Sequence, residues 1–301
     1  MGDAVDNKPK RFSRRKKAAI AIVAACLLAG GVWYYATDHH PKADMALDLG
    51  NGVTMKLVLI PAGTFTMGSP GTEPGRGSEE GPQHAVTISK PSYMGIYPVT
   101  QEQYEQVMGT NPSRFKGASN PVETVSWDDA TEFCKKLSQK TGKRVRLPTE
   151  AQWEYACRAG TTTAYNTGPA ISPGEADCDF SGSSATPGYW AKLKGWVRSF
   201  FPAGKQPQGG PKPVGSFKPN DFGLYDMHGN IWQWCADWYG DDYYAHSPSS
   251  DPAGPESGSP RVLRGGSWSV DPRSCRSAYR FWIDPDHRRS VFGFRVVLDS
   301  E

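Results

Sequence analysis

Cysteine is the residue type in this sequence best suited to redox or soft-metal chemistry, because its thiolate is both a nucleophile and a soft ligand. The 301 residues contain six cysteines: Cys26, Cys134, Cys157, Cys178, Cys235 and Cys275. No two of them have the Cys-x2-Cys spacing of a zinc knuckle, which argues against a zinc ribbon. Cys134 and Cys157 fall in amphipathic helical patterns, which predicts that they pack in the core.

Helices and strands that could position such residues are indicated by local patterns. Alternating apolar residues predict short strands around 55–61 and 85–89. Stretches rich in Pro and Gly at 163–220 and 240–260 predict long loops. These features together predict one irregular α+β domain over residues 45–301. Three helices are expected from capping-box patterns, Thr100 with Gln103, Ser126 with Asp129 and Thr149 with Gln152.

A separate segment precedes this domain. Residues 1–17 carry seven basic and two acidic side chains, and residues 18–36 are uncharged and apolar. Nineteen residues span about 28 Å as a helix, close to the thickness of a bilayer's hydrocarbon core. The positive-inside rule then predicts a cytoplasmic N-terminus, a single transmembrane signal anchor, a linker at 37–44 and a periplasmic or extracellular main domain. A cleaved signal peptide and a lipoprotein signal at Cys26 are the alternatives.

Charge and motif patterns argue against several functional classes. The formal net charge is +3, but the basic excess lies in residues 1–17, so no basic surface for nucleic acid is expected on the main domain. The sequence lacks the Gly-x4-Gly-Lys loop of nucleotide-binding proteins, a His-x3-His pair that could bind iron, and the Gly-x-Ser-x-Gly elbow of serine hydrolases.

Six segments, in this order, resemble the formylglycine-generating enzyme, or sulfatase-modifying factor, family. They are IPAGTFTMGS (60–69), YPVTQEQYEQVMG (97–109), PVETVSWDDATEFCKKL (121–137), RLPTEAQWEYACRAG (146–160), NDFGLYDMHGNIWQWCADWYG (220–240), and RVLRGGSWS (261–269) with GFRVV (293–297). The resemblance implies an irregular, loop-rich fold related to C-type lectins. It agrees with the loops predicted from Pro and Gly content.

The resemblance also implies a copper chemistry whose ligands are incomplete here. Enzymes of this family bind Cu(I) with two cysteines and use oxygen to convert a substrate cysteine into formylglycine. Counted from the Gly265–Gly266 turn, the first family cysteine falls on Val270 and the second on Cys275. Valine cannot ligate a metal, and a single thiolate holds Cu(I) far less well than two. The sequence therefore argues against the family's standard copper site.

Cys235 is the residue that the family's Trp-rich segment suggests as a partner for Cys275. Three hypotheses stay open at this point. The two cysteines form a structural disulfide in an oxidising compartment, they form a rebuilt copper or redox site, or both are free and buried.

Further site residues follow from the same resemblance. Ser267 and Trp268 match the turn that lines the family's substrate groove, with Ser267 and Cys275 as catalytic candidates and Trp232 as a second groove residue. Arg264 and Arg295 are instead expected to hold the core by donating to loop carbonyls. A calcium site, in which an amide replaces the usual glutamate, is implied at Asp226, Gly229, Ile231 and Gln233. Another calcium position of the family matches Asp177, in the step Ala176-Asp177-Cys178.

Two functions are compatible with these patterns. In the first, a membrane-anchored domain without the standard copper pair binds a protein, peptide or glycan outside the membrane. In the second, an oxidoreductase of the formylglycine-generating type acts on a cysteine of a sulfatase-like substrate through Cys275 and a non-standard partner. Val270 favours the first hypothesis, and the retained Ser267 and Cys275 favour the second.

Overall fold

A computed structural model describes residues 43–182 and 209–300, which belong to one compact unit. The predicted cytoplasmic tail and transmembrane segment lie outside the described residues. Among the helices that are described, none is long and apolar enough to cross a bilayer. The described part is a mixed α/β fold with short elements and long connections, as the Pro and Gly content predicts.

The strands form three small sheets. A five-stranded antiparallel sheet has the order β1-β2-β5-β11-β6, a four-stranded sheet has the order β10-β7-β8-β9, and β3 pairs with β4. Only the β10–β7 pair is parallel among these ladders. The strands are β1 (Met45–Gly50), β2 (Val53–Ile60), β3 (Gly63–Met67), β4 (His84–Ile88), β5 (Ser92–Gly95), β6 (Val145–Arg146), β7 (Trp232–Trp238), β8 (Arg261–Arg264), β9 (Phe281–Ile283), β10 (Phe292–Gly293) and β11 (Val297–Asp299).

The three predicted helices are present, and each begins at its predicted capping box. They are α1 (Gln101–Met108), α2 (Trp127–Thr141) and α3 (Glu150–Arg158), and a short α4 (Tyr243–His246) follows later. At the start of each of the first three helices, the side chain of the capping Ser or Thr accepts a hydrogen bond from the backbone amide three residues later. The side chain of that later residue accepts a hydrogen bond from the backbone amide of the capping residue. Local sequence therefore determines where these helices begin.

The core is divided between the two faces of the sheets. The apolar face of α2, including Phe133, Cys134 and Leu137, is buried against the five-stranded sheet. Helix α3 packs between β3–β4 and the strands β7 and β8, and Cys157 is fully buried there. The prediction that Cys134 and Cys157 are core residues is confirmed.

Buried ion pairs link α3 to the C-terminal strands. Glu154, fully buried, pairs with Arg158 and with Arg264 on β8. Arg264 also donates to the backbone carbonyls of residues 277, 278 and 279. Arg295 is likewise buried and donates to the carbonyl oxygens of residues 95, 96 and 225. The structural role predicted for Arg264 and Arg295 is confirmed.

Replacing Glu154 should destabilise the domain strongly. In a Glu154→Ala variant, the Arg264 guanidinium would remain buried without this carboxylate, which typically costs about 3–5 kcal/mol. The matched control is Glu132→Ala, because the Glu132–Lys135 pair on α2 is solvent-exposed and such pairs contribute about 0.2–1 kcal/mol. Urea unfolding followed by tryptophan fluorescence measures the free energy of unfolding of both variants. Equal decreases in this free energy would contradict the role assigned to Glu154.

Candidate functional site

Cys275 has a sulfur neighbour, and it is Cys178. The two sulfur atoms lie 3.0 Å apart. Cys275 is fully buried at the end of a 3-10 turn (Pro272–Cys275), whereas Cys178 is partly exposed. The structure thus brings together two thiols that are separated by 97 residues in the sequence.

Of the three hypotheses for Cys235 and Cys275, the structure agrees with two free, buried thiols, and no disulfide joins them. The two residues lie in different hydrophobic clusters. Side chains alternate along β7, and Cys235 packs in the cluster that also contains Cys157 and Val262, with its sulfur 3.9 Å from the carbonyl oxygen of Gln233. Cys275 packs in a separate small cluster with Tyr165 and Cys178.

Two backbone hydrogen bonds fix the position of Cys178. The carbonyl oxygen of the preceding residue, Asp177, accepts from the amide of Asn230 at 2.8 Å. The amide of the following residue, Asp179, donates to the carbonyl oxygen of Val270 at 2.9 Å. Cys178 is therefore held between the turn that precedes β7 and the loop that carries the residue at the family's first cysteine position.

Two glycines leave the space that the sulfurs occupy. A Cβ at Gly266 would lie 2.3 Å from the sulfur of Cys275, and a Cβ at Gly229 would lie 2.8 Å from the sulfur of Cys178. Both glycines also have positive φ angles, 76° and 75°, which disfavour other residues. The Gly265–Gly266 turn is thus required by the neighbouring thiol as well as by backbone conformation.

His228 holds the backbone of Cys275. Its Nε2 accepts a hydrogen bond from the amide of Asn166 at 3.0 Å, so Nδ1 carries the proton and donates to the carbonyl oxygen of Cys275 at 2.7 Å. Burial lowers the pKa of His228 to about 4, which keeps the ring neutral near pH 7. His228 is therefore an uncharged hydrogen-bond donor that holds the carbonyl group of Cys275 in place.

The surroundings of Cys275 favour its protonated form. Burial raises the pKa of the Cys275 thiol well above its usual value, and the adjacent Cys178 adds to this increase. The backbone N–H of Ser267 donates to the sulfur and acts in the opposite direction. Val270 packs in the same small cluster as Cys275, Cys178 and Tyr165.

The residues predicted to line a groove are largely buried. Trp232 is 2% exposed and packs against Phe281 in the core, so its assignment to an open groove is wrong. Trp268 is 8% exposed and packs edge-on against Phe115. The hydroxyl of Ser267 is buried beside that of Ser269, so Ser267 reaches Cys275 through its backbone amide only.

Part of the predicted calcium set is also wrong. The side-chain oxygen of Gln233 accepts from the indole N–H of Trp153 at 3.0 Å and from Nε of Arg295 at 2.8 Å. Both lone pairs of this oxygen are then used, and the amide nitrogen donates to the carbonyl oxygen of Asp226. Gln233 therefore cross-links the core and has no oxygen left for a cation.

The remaining predicted calcium ligands lie around one turn. Burial raises the pKa of Asp226 to about 6, although its carboxylate accepts from the amide of Gly215. One carboxylate oxygen of Asp177 lies 3.3 Å from the ammonium of Lys212, and the other is buried without a hydrogen-bond partner. Within residues 43–182 and 209–300, no three His, Cys, Asp or Glu side chains are grouped to hold a metal. Calcium at Asp177 and Asp226, with Gly229 and Ile231, stays a prediction.

Cys178 is the site residue that sequence reasoning did not assign. It stands in a polar segment outside any helix or strand pattern, so apolar core packing did not account for it. A cysteine in such a polar segment, with no apolar core to explain it, was the one sequence feature that could have indicated a role in the site. Local patterns, however, contain no information about its contact with Cys275, which is 97 residues away in the sequence.

Comparisons with known proteins agree with the geometry of the whole domain. Residues 49–300 match the family model described as a sulfatase-modifying factor enzyme 1-like domain. A formylglycine-generating enzyme of Streptomyces coelicolor is 38% identical over 189 residues, which is 61% of this chain and 54% of that protein. One from Mus musculus is 30% identical over 302 residues, covering 81% of this chain and 75% of that protein.

Among solved structures, PvdO from Pseudomonas aeruginosa is similar with a TM-score of 0.66 and 31% identity. The match covers 86% of this chain and 99% of the PvdO chain. The aligned region spans only about half the length of the Streptomyces coelicolor and Thermomonospora curvata relatives.

Adding a methyl group at position 266 should displace the Cys275 sulfur. In Gly266→Ala, the left-handed backbone costs about 1–2 kcal/mol, and overpacking against the sulfur adds about 1–3 kcal/mol. Gly160→Ala is the matched control, since Gly160 also has a positive φ but has no atom within 4 Å of its Cβ position. Urea unfolding measures the loss in free energy of unfolding for both variants. Similar losses in the two variants would show that Gly266 is needed for the backbone turn and not for the space around the Cys275 sulfur.

Proposed function

This chain belongs to the sulfatase-modifying factor family, and we propose that it is an oxidoreductase-type member whose thiol site is rebuilt from Cys178 and Cys275. Its substrate would be a cysteine thiol of a protein or peptide outside the membrane. The substrate class is taken from the formylglycine-generating enzymes that it resembles.

One observation carries this proposal, the 3.0 Å separation of the two sulfur atoms. The family's first cysteine position is occupied by Val270, which has no ligand atom. Cys178 brings a second thiol to Cys275 from a different segment of the chain. The two hydrogen bonds on either side of Cys178, at Asp177 and Asp179, support a built arrangement.

Copper fits the donor set of this pair. Two thiolates are the soft ligands that Cu(I) prefers, and it accepts low coordination numbers. Cys178 and Cys275 would hold it. When bound, Cu(I) would supply the oxygen-dependent oxidation expected of the family.

The chain's own residues would prepare the thiols. Gly266 leaves room for the Cys275 sulfur, and the N–H of Ser267 favours its thiolate. His228 holds the Cys275 carbonyl without adding charge. Val270 adds an apolar side chain to the cluster in which both thiols pack. Cys178 is the partly exposed thiol at which a substrate would arrive.

A non-catalytic binding module is the second candidate, and the replacement of the family's first cysteine by Val270 favours it. Such a domain would hold a protein, peptide or glycan partner outside the membrane without changing it. Copper binding and turnover separate the two candidates.

The full-length chain should bind about one Cu(I) through Cys178 and Cys275. Competition with a bathocuproine chelator measures the affinity, and X-ray absorption measures the sulfur ligands. We expect Cys178→Ser and Cys275→Ser each to weaken binding at least about tenfold, because one soft donor is lost. Cys134→Ser is the control, since that thiol is buried in α2.

Turnover is tested with a Cys-x-Pro-x-Arg peptide and detection of aldehyde by a hydrazine reagent. Aldehyde that depends on both cysteines supports the oxidoreductase. If the wild-type chain neither binds copper nor forms aldehyde, and Val270→Cys gains copper binding, the binding module is the correct function.

Anchoring in the membrane is proposed on the basis of residues 1–36. Carbonate extraction should leave the full chain in the membrane, and deletion of residues 18–36 should release it. Alkaline phosphatase fused after residue 44 should be active only if the main domain is exported. Loss of residues 1–36 from the mature chain would indicate a cleaved signal, and release by Cys26→Ser would indicate a lipoprotein.

A further inference from the structure

We propose that Cys178 and Cys275 form a reversible disulfide, in which Cys178 is the sulfur that exchanges with external thiols and disulfides. This inference concerns the thiol pair of the proposed function, but it requires neither copper nor turnover. It adds a redox control to the site.

The distance between the thiols permits the bond. A disulfide is about 2.05 Å long, so the sulfurs must approach by about 1 Å from their 3.0 Å separation. The flanking hydrogen bonds from Asn230 to Asp177 and from Asp179 to Val270 hold the backbone on either side of Cys178. Gly229 and Gly266 have no side chain that would occupy the positions of the two sulfurs.

The two thiols differ in access. Cys275 is fully buried beneath Gly266 and beside Val270 and Tyr165, whereas Cys178 is partly exposed. A small disulfide in solution would therefore reach Cys178 first. This asymmetry resembles that of other dithiol sites, where one thiol exchanges and the other resolves.

The exchange is balanced in atoms and electrons. The Cys178 thiolate attacks a low-molecular-weight disulfide, forms a mixed disulfide and releases one thiolate. Cys275 then loses its proton and attacks the Cys178 sulfur, which releases the second thiolate. The protein loses two electrons and two protons, and the small disulfide becomes two thiols. A dithiol in solution reverses the reaction.

The other described cysteines are poor competitors for this bond. Cys134, Cys157 and Cys235 are all buried. The sulfur contacts of Cys157 are with His228, Ser277 and a backbone carbonyl, and that of Cys235 is with a backbone carbonyl. The oxidised pair would tie the segment around Cys178 to the loop after Gly266. With no free thiol at the site, neither a soft metal nor a substrate thiol could be held there.

The test is equilibration of the full-length chain in mixtures of reduced and oxidised glutathione. After acid quenching and alkylation, non-reducing peptide mass spectrometry maps the bonds. We expect one Cys178–Cys275 linked peptide that disappears as the fraction of reduced glutathione rises. Cys134→Ser, the matched control, should leave this titration unchanged.

The single variants test the order of attack. Cys275→Ser should trap glutathione on Cys178 as a stable mixed disulfide, whereas Cys275 in Cys178→Ser should react at least about tenfold more slowly because it is buried. If a variant fails to fold, rapid quenching of the wild-type chain captures the mixed disulfide at Cys178 directly.

The proposal is overturned if both thiols remain alkylatable in fully oxidised glutathione, or if Cys275 in Cys178→Ser reacts as fast as Cys178 in Cys275→Ser. These results are independent of the copper experiment. A bridge that forms in a chain without copper binding or aldehyde production would leave the redox control intact and reject the oxidoreductase. Copper binding without a Cys178–Cys275 disulfide would support the proposed function and reject the redox control.

Discussion

Buried arginine side chains provide the hydrogen bonds that short helices and strands leave unmade in this fold. Arg264, Arg276, Arg280 and Arg295 are each at most 1% exposed, and all four donate to backbone carbonyls. A buried carbonyl without a donor costs about as much as a lost hydrogen bond, so a loop-rich interior needs such donors. Their charges are in turn met by carboxylates, chiefly Glu80, Glu150 and Glu154. Arg295 is an exception. Burial lowers its pKa to about 10, and it donates hydrogen bonds to the side-chain oxygen of Gln233 and to backbone carbonyls.

The thiol site depends on this framework because it has almost no secondary structure of its own. Arg264 binds the carbonyls of residues 277–279 directly after Cys275, and Gln233 ties Arg295 to the turn at Asp226. That turn carries His228, which donates to the carbonyl oxygen of Cys275, and Gly229, where any Cβ would crowd the sulfur of Cys178. The position of each sulfur therefore follows from polar interactions deeper in the domain. Rigidity of the site comes from the interior, although one thiol reaches the surface.

Local patterns in the sequence predicted the local features well. The capping boxes at Thr100, Ser126 and Thr149 placed three helices because a cap is defined within four residues. The structural arginines followed from the need of loop carbonyls for donors. The thiol pairing was predicted incorrectly because it depends on contacts between segments about 100 residues apart. Cys235 precedes Cys275 in the family's order of segments, yet the two residues pack in different hydrophobic clusters.

The position of β11 has a consequence for the order in which the molecule can assemble. This strand is the last in chain order, and yet it lies inside the five-stranded sheet, between β5 and β6. A chain emerging from its N-terminus has completed β1, β2 and β5 long before β11 is available, so one edge of β5 stays unpaired during that interval. Unpaired edges are templates for intermolecular pairing. Until β11 has been made, this edge of β5 is therefore available for pairing with the strands of other chains.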